Sequence, residues 1–236
     1  MLLDGLPVVY LQSMADILCN NLEVIRFINN PVPSNAFLIA CKEQKRCIVI
    51  DPGSKDQKDI RDYICENGYK LDYILLSHEH FDHCWGVNSL LADSDAKVVA
   101  TKLCSDWIKT PMNYFNKLYF NSDEMFSVDR VDLFAEDIDW RLEWCGHEIG
   151  LVDSKGHTNR GMCISIENVL FSGDTMIYNT KPFLKKKYGA SVDDLRKTID
   201  YIYASFRKDT IVYPGHGECF RLDDMKQFYK DYFPKA

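Results

Sequence analysis

The most constraining stretch of this sequence is a cluster of potential metal ligands, His78, His80, Asp82 and His83, that spans only six residues. It follows the apolar run at 73–76, so we expect a loop at the end of a buried strand that leads into a helix. Imidazole and carboxylate groups crowded in this way leave desolvated polar atoms that a folded core satisfies only at a cost. A divalent cation would remove that cost. A histidine-rich surface loop without metal is the alternative interpretation.

The spacing within the cluster indicates two ions. In an extended strand end, residues two apart point the same way, so His78 and His80 would face one ion. The turn that follows would direct Asp82 and His83 towards a second ion. Zinc accepts nitrogen and carboxylate ligands together, and iron or manganese tolerate the same set. We therefore expect two divalent metal ions, with zinc as the first choice and iron or manganese as alternatives.

Three further potential ligands occur in the same kind of local sequence. His157, Asp174 and His216 each lie beside a glycine, where an apolar run ends in a turn. Ligands at the ends of several strands can converge on one edge of a sheet. Taken singly, each of these residues is better explained by a hydrogen-bonded structural role, and it is their combination with the first cluster that indicates a metal site.

The size and charge of the chain narrow its functional class. The 236 residues are enough for one large core and few for two independent enzyme domains. A net charge of -7 argues against a nucleic-acid backbone as partner. The nine cysteines contain no CxxC pair, which predicts reduced thiols in a reducing compartment.

The sequence contains no apolar run near the ~20 residues of a membrane span. Its N-terminus lacks the basic residues that begin a secretory signal. We therefore expect a cytoplasmic enzyme with a small-molecule substrate, without a membrane or nucleic-acid partner. A homo-oligomeric state is left open.

Strand and helix signals alternate through the first half of the chain and predict a sheet covered by helices. Residues 1–22 fit this pattern poorly, and we interpret them as an N-terminal extension with a strand at 8–11 and a short helix at 13–18. Residues 23–236 are predicted to form a single metallo-enzyme domain, in which 110–130 show little periodicity. The predicted strands lie at 24–28, 36–41, 47–50, 73–76, 97–100, 140–144, 147–153, 162–166, 169–171 and 210–213, and the predicted helices at 55–67, at 87–91, from 101, at 193–206 and at 222–232.

This constellation resembles the metallo-β-lactamase superfamily, whose mark is His-x-His-x-Asp-His followed by a His, a Gly-Asp and a Gly-His. The matching residues here are His78, His80, Asp82, His83, His157, Asp174 and His216. The resemblance covers roughly residues 23–220 and includes the Asp-Pro-Gly turn at 51–53. It implies an α/β fold, an αββα four-layer sandwich of two mixed β-sheets flanked by helices.

The resemblance also implies a role for each candidate ligand. His78, His80 and His157 would bind the first metal, Asp82, His83 and His216 the second, and Asp174 would bridge them. An aspartate at 174, where true β-lactamases usually have a cysteine, is similar to the glyoxalase II, lactonase and phosphodiesterase branches. A histidine at 80, where flavodiiron oxygen reductases usually have glutamate, also favours a hydrolase.

The reaction that this resemblance implies is hydrolysis by a hydroxide that bridges the two metals. Asp82 would be the catalytic residue that orients the hydroxide and transfers a proton. We expect a thioester, lactone or related acyl bond of a small molecule as the substrate. A phosphodiesterase of the same fold is the alternative, followed by a di-iron redox protein and a non-catalytic metal-binding sensor.

Metal-bound imidazoles need their other nitrogen held in place, and Asp51, Ser77 and Thr158 are the candidates for this role. For Asp51, a purely turn-forming role is the alternative. His147 is interpreted as an ordinary strand residue, and Glu79 is assigned no chemistry.

Substrate contacts are expected from two loops over the metals, at 110–126 and 176–190. In and beside these loops, aromatic and lysine side chains are frequent: Trp107, Tyr114, Phe115, Tyr119, Phe120, Tyr178, Lys181, Lys185, Lys186, Lys187 and Tyr188. A basic, aromatic rim suits an anionic or partly apolar substrate. For the three consecutive lysines, a solvated charged loop is the alternative.

Overall fold

Two β-sheets lie face to face in the computed structural model, which describes residues 16–19, 21–137 and 139–233. The strand Asn35–Cys41 shows the reason, because all of its residues are buried. Phe37 and Ile39 belong to the apolar cluster between the sheets, whereas Leu38 and Ala40 belong to a second cluster beneath helices. Side chains alternate along a strand, so a strand that is apolar on both faces requires a sheet on one side and helices on the other.

The first sheet is mixed. Its described strands are β1 (Asp16–Cys19), β2 (Leu22–Ile28), β3 (Asn35–Cys41), β4 (Arg46–Ile50), β5 (Lys70–Leu75), β6 (Lys97–Ala100) and β7 (Leu133–Phe134). They are adjacent in chain order, antiparallel from β1 to β4 and parallel from β4 to β7.

The second sheet is also mixed. Its described strands are β8 (Arg141–Trp144), β9 (His147–Asp153), β10 (Met162–Ile166), β11 (Val169–Gly173), β12 (Ile211–Pro214) and β13 (Phe220–Arg221). They lie in the order β13-β12-β11-β10-β9-β8, and β11 and β12 are the parallel pair in this sheet.

Helices cover the outer faces of both sheets. The described helices are α1 (Lys58–Asn67), α2 (Phe81–Cys84), α3 (Val87–Ala92), α4 (Lys102–Ile108), α5 (Tyr114–Phe120), α6 (Val192–Ser205) and α7 (Lys226–Tyr232), with short 3-10 turns at Lys186–Tyr188 and Leu222–Met225. Ile60 of α1 and Leu90 of α3 pack on the first sheet, and Leu195 and Ile199 of α6 on the second. The predicted αββα sandwich of two mixed β-sheets flanked by helices is confirmed.

Helix α1 ends at Asn67, the last residue of the helix predicted at 55–67. Gly68 follows the helix with φ +64°, a left-handed conformation that glycine adopts without strain. Its N–H donates to the carbonyl of Cys65 at 3.1 Å, and the N–H of Tyr69 donates to the carbonyl of Ile64 at 3.0 Å. These bonds satisfy carbonyls that the helix end leaves free, so the chain turns into β5 here.

Two local predictions need correction. The helix predicted at 13–18 is wrong for its described part, since Asp16–Cys19 pairs with β2 as an antiparallel edge strand. Residues 1–15, with the strand predicted at 8–11, lie outside the described residues, and the division of the chain at residue 22 stays a prediction. Helix α5 lies in the segment 110–130, where no element was predicted. Its stability depends on tertiary contacts, such as the stacking of Phe115 on Phe81 with ring centroids 3.5 Å apart.

The cysteines of the core are thiols, as the cysteine pattern predicts. Cys47, Cys84, Cys104 and Cys163 are buried and form no disulfide. Burial, with a smaller contribution from Asp72, raises the pKa of Cys47 to about 12. These side chains therefore act as small apolar groups.

None of the described helices combines the length and the apolar composition that crossing a membrane requires.

The strand ends that carry the candidate ligands lie at one edge of the sandwich. Asp51 follows β4 and the loop at 76–83 follows β5, which is parallel to β4. In the other sheet His157, Asp174 and His216 follow β9, β11 and β12, which all run in the same direction. Parallel strands end at the same edge, so residues distant in sequence meet there.

Candidate metal centre

The loop after β5 places the first four candidate ligands. Its backbone is extended at His80, with φ −67° and ψ 143°, and the single turn of α2 begins at the next residue. His78 and His80 lie two residues apart, with Nε2 of His78 3.0 Å from Nδ1 of His80. Asp82 and His83 lie on the helical turn. The loop thus brings His78 and His80 together and places the other two candidates on the turn that follows.

Three imidazoles converge in the first group, formed by His78, His80 and His157. Nδ1 of His80 also lies 3.1 Å from Nε2 of His157. Asp174 adds a carboxylate oxygen, since its Oδ2 lies 3.5 Å from Nε2 of His157 and 4.0 Å from Nε2 of His78. A cation among these atoms would meet three nitrogens and one oxygen, a set that zinc accepts.

The second group contains Asp82, His83 and His216. Oδ2 of Asp82 lies 3.3 Å from Nε2 of His216 and 3.6 Å from Nε2 of His83. Asp174 approaches this group too, with Oδ1 3.6 Å from Nε2 of His83 and Oδ2 3.6 Å from Nε2 of His216. Asp174 therefore lies between the two groups, in the position that a bridging ligand requires.

A glycine makes this close approach possible. A Cβ added at Gly215 would lie 2.3 Å from Oδ1 of Asp174 and 2.8 Å from Cε1 of His83. Both distances are shorter than van der Waals contact. The glycine before His216 is thus required by the crowding of the candidate ligands.

Buried polar atoms without a hydrogen-bond partner mark this site. Among the described residues, Nε2 of His83 and Oδ1 of Asp174 are both buried and accept or donate no hydrogen bond. A cation between the groups would satisfy both atoms. Their nitrogen and carboxylate character suits zinc, iron or manganese. The residues present therefore fit a divalent metal centre.

The electrostatics of the first group favour neutral imidazoles. Burial and the charge of His157 lower the pKa of His80 to about 3. Burial and the charge of His83 hold the pKa of His78 well below its usual value. A neutral imidazole offers a lone pair, so these residues are prepared to bind a metal ion in preference to a proton.

The second group attracts positive charge. Burial lowers the pKa of His83, but the surrounding carboxylates, Asp82 first, outweigh it and raise this pKa to about 10. Burial disfavours the charged form of Asp82, but His83 and His216 outweigh it and hold the carboxyl pKa below its usual range. A metal ion in this group would take the place of the proton on His83.

The protein holds the outer nitrogens of four of the candidate histidines. Nδ1 lies 2.9 Å from Oγ of Ser77 for His78, 3.0 Å from Oδ2 of Asp51 for His83, 2.8 Å from the carbonyl of Phe183 for His157, and 3.3 Å from the carbonyl of Pro33 for His216. Each of these contacts directs Nε2 towards the groups.

The predicted positioning residues have different partners. The carboxylate of Asp51 accepts from the N–H of Ser77 at 2.7 Å and from its hydroxyl at 2.5 Å, besides contacting His83. Asp51 has a φ of +53°, so it forms the turn as well. The hydroxyl of Thr158 donates instead to Oε2 of Glu79 at 3.0 Å, which corrects the prediction that Thr158 holds an imidazole.

Glu79, for which no chemistry was predicted, anchors this loop. Its side chain is fully buried, and Oε1 accepts from Nη1 of Arg160 at 3.0 Å. The same Nη1 donates to the carbonyl of Tyr188 at 3.2 Å, and the guanidinium lies 4.4 Å from the ring centroid of Trp107. The signal for Glu79 was its charge, because an acidic side chain in a buried loop needs a partner.

A cavity of about 490 Å³ lies over the two groups. Five candidate ligands line it: His80, Asp82, His157, Asp174 and His216. Its other walls are formed by Val32, Phe81, Phe115, Ile177, Tyr178, Thr180, Lys181, Phe183, Lys185, Tyr188 and Gly217. A small molecule in this cavity would therefore contact both groups. A larger cavity of about 840 Å³ lies against α1, and none of the candidate ligands lines it.

Some residues of the predicted substrate rim line this cavity, and their contact with a substrate stays a prediction. Phe115, Tyr178, Lys181, Lys185 and Tyr188 line the cavity. The other predicted residues, Trp107, Tyr114, Tyr119, Phe120, Lys186 and Lys187, lie outside its walls. Packing explains two of these, since Trp107 stacks on Arg160 and Phe120 contacts Trp85 with ring centroids 5.1 Å apart. His147 pairs with Glu167 at 2.7 Å and lies outside both groups, as an ordinary strand residue would.

Residues 29–216 match the sequence model of the metallo-beta-lactamase superfamily, and this span contains all seven candidate ligands. The chain belongs to the metallo-beta-lactamase superfamily. The predicted class of metal-dependent hydrolase is confirmed at this level, because the superfamily and its relatives indicate that class.

Relatives within the superfamily are distant. The chain is 29% identical over 182 residues to the probable polyketide biosynthesis zinc-dependent hydrolase BaeB of Bacillus velezensis, covering 76% of this chain and 71% of that protein. It is 26% identical over 183 residues to a hydroxyacylglutathione hydrolase of a Polaromonas species, covering 76% of this chain and 60% of that protein. The chain thus spans about three fifths of the length of the second relative.

A solved structure supports the fold. The B3 metallo-beta-lactamase BLEG-1 superposes with a TM-score of 0.75 at 20% identity, covering 89% of this chain and 98% of that one. At this identity the similarity concerns the fold alone.

Proposed function

We propose that this chain is a hydrolase with two divalent metal ions, which cleaves a thioester, lactone or related acyl bond of a small molecule. The observation that carries the proposal is the pair of ligand groups that share Asp174 beneath an open cavity. Relatives named as a zinc-dependent hydrolase and a hydroxyacylglutathione hydrolase favour zinc and an acyl substrate.

The candidate ligands divide between two metal positions. His78, His80 and His157 would hold the first metal, Asp82, His83 and His216 the second, and Asp174 would lie between them. When bound, two such cations supply Lewis-acid chemistry, which activates water and polarises an acyl oxygen. The protein contributes the burial of these side chains and the contacts that fix their outer nitrogens.

Asp82 is the catalytic residue of this proposal. Its carboxylate lines the cavity, and its contacts with His83 and His216 are made by Oδ2. The depressed pKa of Asp82 keeps the carboxylate ionised at neutral pH. Its Oδ1 would therefore orient an attacking water and accept its proton.

The cavity walls favour a substrate with an apolar portion and a negative charge. Phe81 and Phe115 stack with ring centroids 3.5 Å apart and form an apolar wall. Lys181 and Lys185, two cationic residues, line the cavity. An acyl group would suit the aromatic side, and a carboxylate or similar anion would suit the lysines.

A phosphodiesterase of the same fold is the second candidate. The observation that favours it is the same pair of lysines, because Lys181 and Lys185 would also receive a phosphate.

A substrate panel tests both candidates. The purified chain, loaded with zinc, iron or manganese, is assayed on thioesters, lactones, a β-lactam and bis(p-nitrophenyl) phosphate, beside Asp174→Ala and His147→Ala. We expect turnover of a thioester or lactone by the wild type and by His147→Ala, whose imidazole lies outside both groups. Turnover by Asp174→Ala should be about 1,000-fold lower. Turnover of the phosphodiester alone would favour the second candidate. A fully loaded chain that hydrolyses nothing would contradict the proposed function.

A further inference from the structure

We propose that Asn35 is a positioning residue for His216 and, through it, for the second metal position. The inference rests on the proposed function. Asn35 is the first residue of β3 in the first sheet, whereas His216 follows β12 in the second. Asn35 therefore joins the two halves of the sandwich at the edge that carries the metal centre.

Asn35 donates to the turn of His216 on both sides of that residue. Its backbone N–H donates to the carbonyl of Gly215 at 2.6 Å. Its side-chain Nδ2 donates to the carbonyl of Pro214 at 2.8 Å and to that of Gly217 at 2.9 Å. One residue thus satisfies the three carbonyls that flank the imidazole.

Among the described residues, the side-chain amide of Asn35 makes no other hydrogen bond. The residue is 1% exposed, and its Oδ1 is buried without a hydrogen-bond partner in the described part of the chain. Its orientation therefore follows from the two bonds that Nδ2 donates. Removing this side chain would leave the buried carbonyl of Pro214 without this donor, and the carbonyl of Gly217 would keep only the guanidinium of Arg26 at 3.2 Å. The turn would then be held less firmly in its present geometry.

His216 depends on its backbone more than His78, His83 and His157 do. Its side chain is 28% exposed, compared with 3% for His78, 0% for His83 and 5% for His157. Its outer nitrogen also makes the longest of the four holding contacts, 3.3 Å to the carbonyl of Pro33. Packing alone does not fix this imidazole, so the bonded turn beneath it does.

The effect of Asn35 is confined to one metal position. The first group is held by different residues, with Ser77 on His78 and the carbonyl of Phe183 on His157. A change at Asn35 should therefore weaken the second metal and spare the first.

Asn168 provides a matched control. Its Oδ1 accepts from the hydroxyl of Thr210 at 3.0 Å, and its Nδ2 donates to the carbonyl of Asp209 at 3.4 Å. Asn168 thus holds the opposite end of β12, away from His216. Its replacement removes similar bonds from the same strand without touching the metal centre.

Stepwise removal of zinc from the loaded full-length chain by a chromophoric chelator tests this inference. The variants are Asn35→Ala, Asn35→Asp and Asn168→Ala, with thermal unfolding measured on each. Asn35→Asp keeps the size of the side chain and replaces the donor, so it gives the result where Asn35→Ala does not fold. We expect one zinc to be released about 10- to 100-fold more readily in the Asn35 variants. The other zinc and both zincs of Asn168→Ala should match the wild type.

Two results would overturn the inference, and they are distinguishable. Unchanged release, or equal weakening of both zincs, in the Asn35 variants would remove the positioning role and leave the proposed function standing. A wild-type chain that binds fewer than two zincs would overturn the proposed function and this inference with it.

Discussion

The two ligand groups differ in charge and in exposure, although one edge of the sandwich supplies both. The first consists of imidazoles, with nitrogens of His78 and His157 3.0 to 3.1 Å from His80 Nδ1, and burial lowers the pKa of His78 and His80. The second includes the carboxylate of Asp82, which faces the cavity, and a His83 whose pKa is raised to about 10. The first group is suited to holding a metal, and the second also to acting on water.

The contacts that anchor the two groups overlap. Glu79 pairs with Arg160 in the loop at 76–83, which carries candidate ligands of both groups. Asp51 contacts His83 directly and reaches His78 through Ser77. Asp174 is the side chain that approaches both groups. Replacing Asp174 should therefore affect both groups, whereas replacing a residue that belongs to one group should affect mainly that group.

The largest effect is expected for Asp174→Ala, because this side chain serves both groups. We expect the loss of several kcal/mol of transition-state stabilisation, or about 1,000-fold in turnover, together with a loss of both metals. Mass spectrometry of metal content beside kcat measures it. Retention of both metals and full turnover would show that the groups do not share this ligand.

Asp82→Asn should separate chemistry from binding. The amide keeps the shape of the side chain but accepts no proton, so turnover should fall by about 10²- to 10⁴-fold. Metal content should fall by one equivalent at most, since the first group is untouched. A loss of turnover in proportion to the loss of metal would show that Asp82 only binds metal.

Arg160→Met removes the cation that pairs with Glu79 in the loop after β5. It leaves the buried carboxylate of Glu79 without its cation, so we expect a loss of about 3 to 5 kcal/mol in the free energy of unfolding. Urea denaturation measures this change. The double variant Glu79→Gln with Arg160→Met should recover most of the loss, and a single variant as stable as the wild type would contradict this prediction.

Asp51→Asn should give the smallest effect of these substitutions. It weakens the hold on His83 directly and reaches His78 only through Ser77. We expect zinc affinity to fall by about 10- to 100-fold at the second position and by less at the first. Chelator competition on the zinc-loaded chain measures both affinities. A larger loss of affinity at the first position than at the second would contradict this prediction.

Local sequence patterns predicted the ends of several strands and the turns that follow them. Apolar runs followed by a glycine-containing turn placed β9, β11 and β12 within a few residues and put His157, Asp174 and His216 after their ends. Such runs carry periodicity and turn residues, which are the signals that sequence reveals.

Long-range pairing accounts for what the sequence did not reveal. Glu79 and Arg160 lie 81 residues apart, and Asn35 lies 179 residues from Pro214. Neither pair has a local pattern. Helix α5 was missed for the same reason, because the stacking of Phe115 on Phe81 is a tertiary contact. The cytoplasmic location and the oligomeric state stay predictions.

Anomalous diffraction at the zinc edge from crystals of the zinc-loaded chain tests the binuclear centre most directly. We expect two peaks roughly 3.5 to 4 Å apart. One should lie among the nitrogens of His78, His80 and His157, the other among Asp82, His83 and His216, with Asp174 between them. A single peak, or two peaks outside these groups, would contradict the binuclear centre.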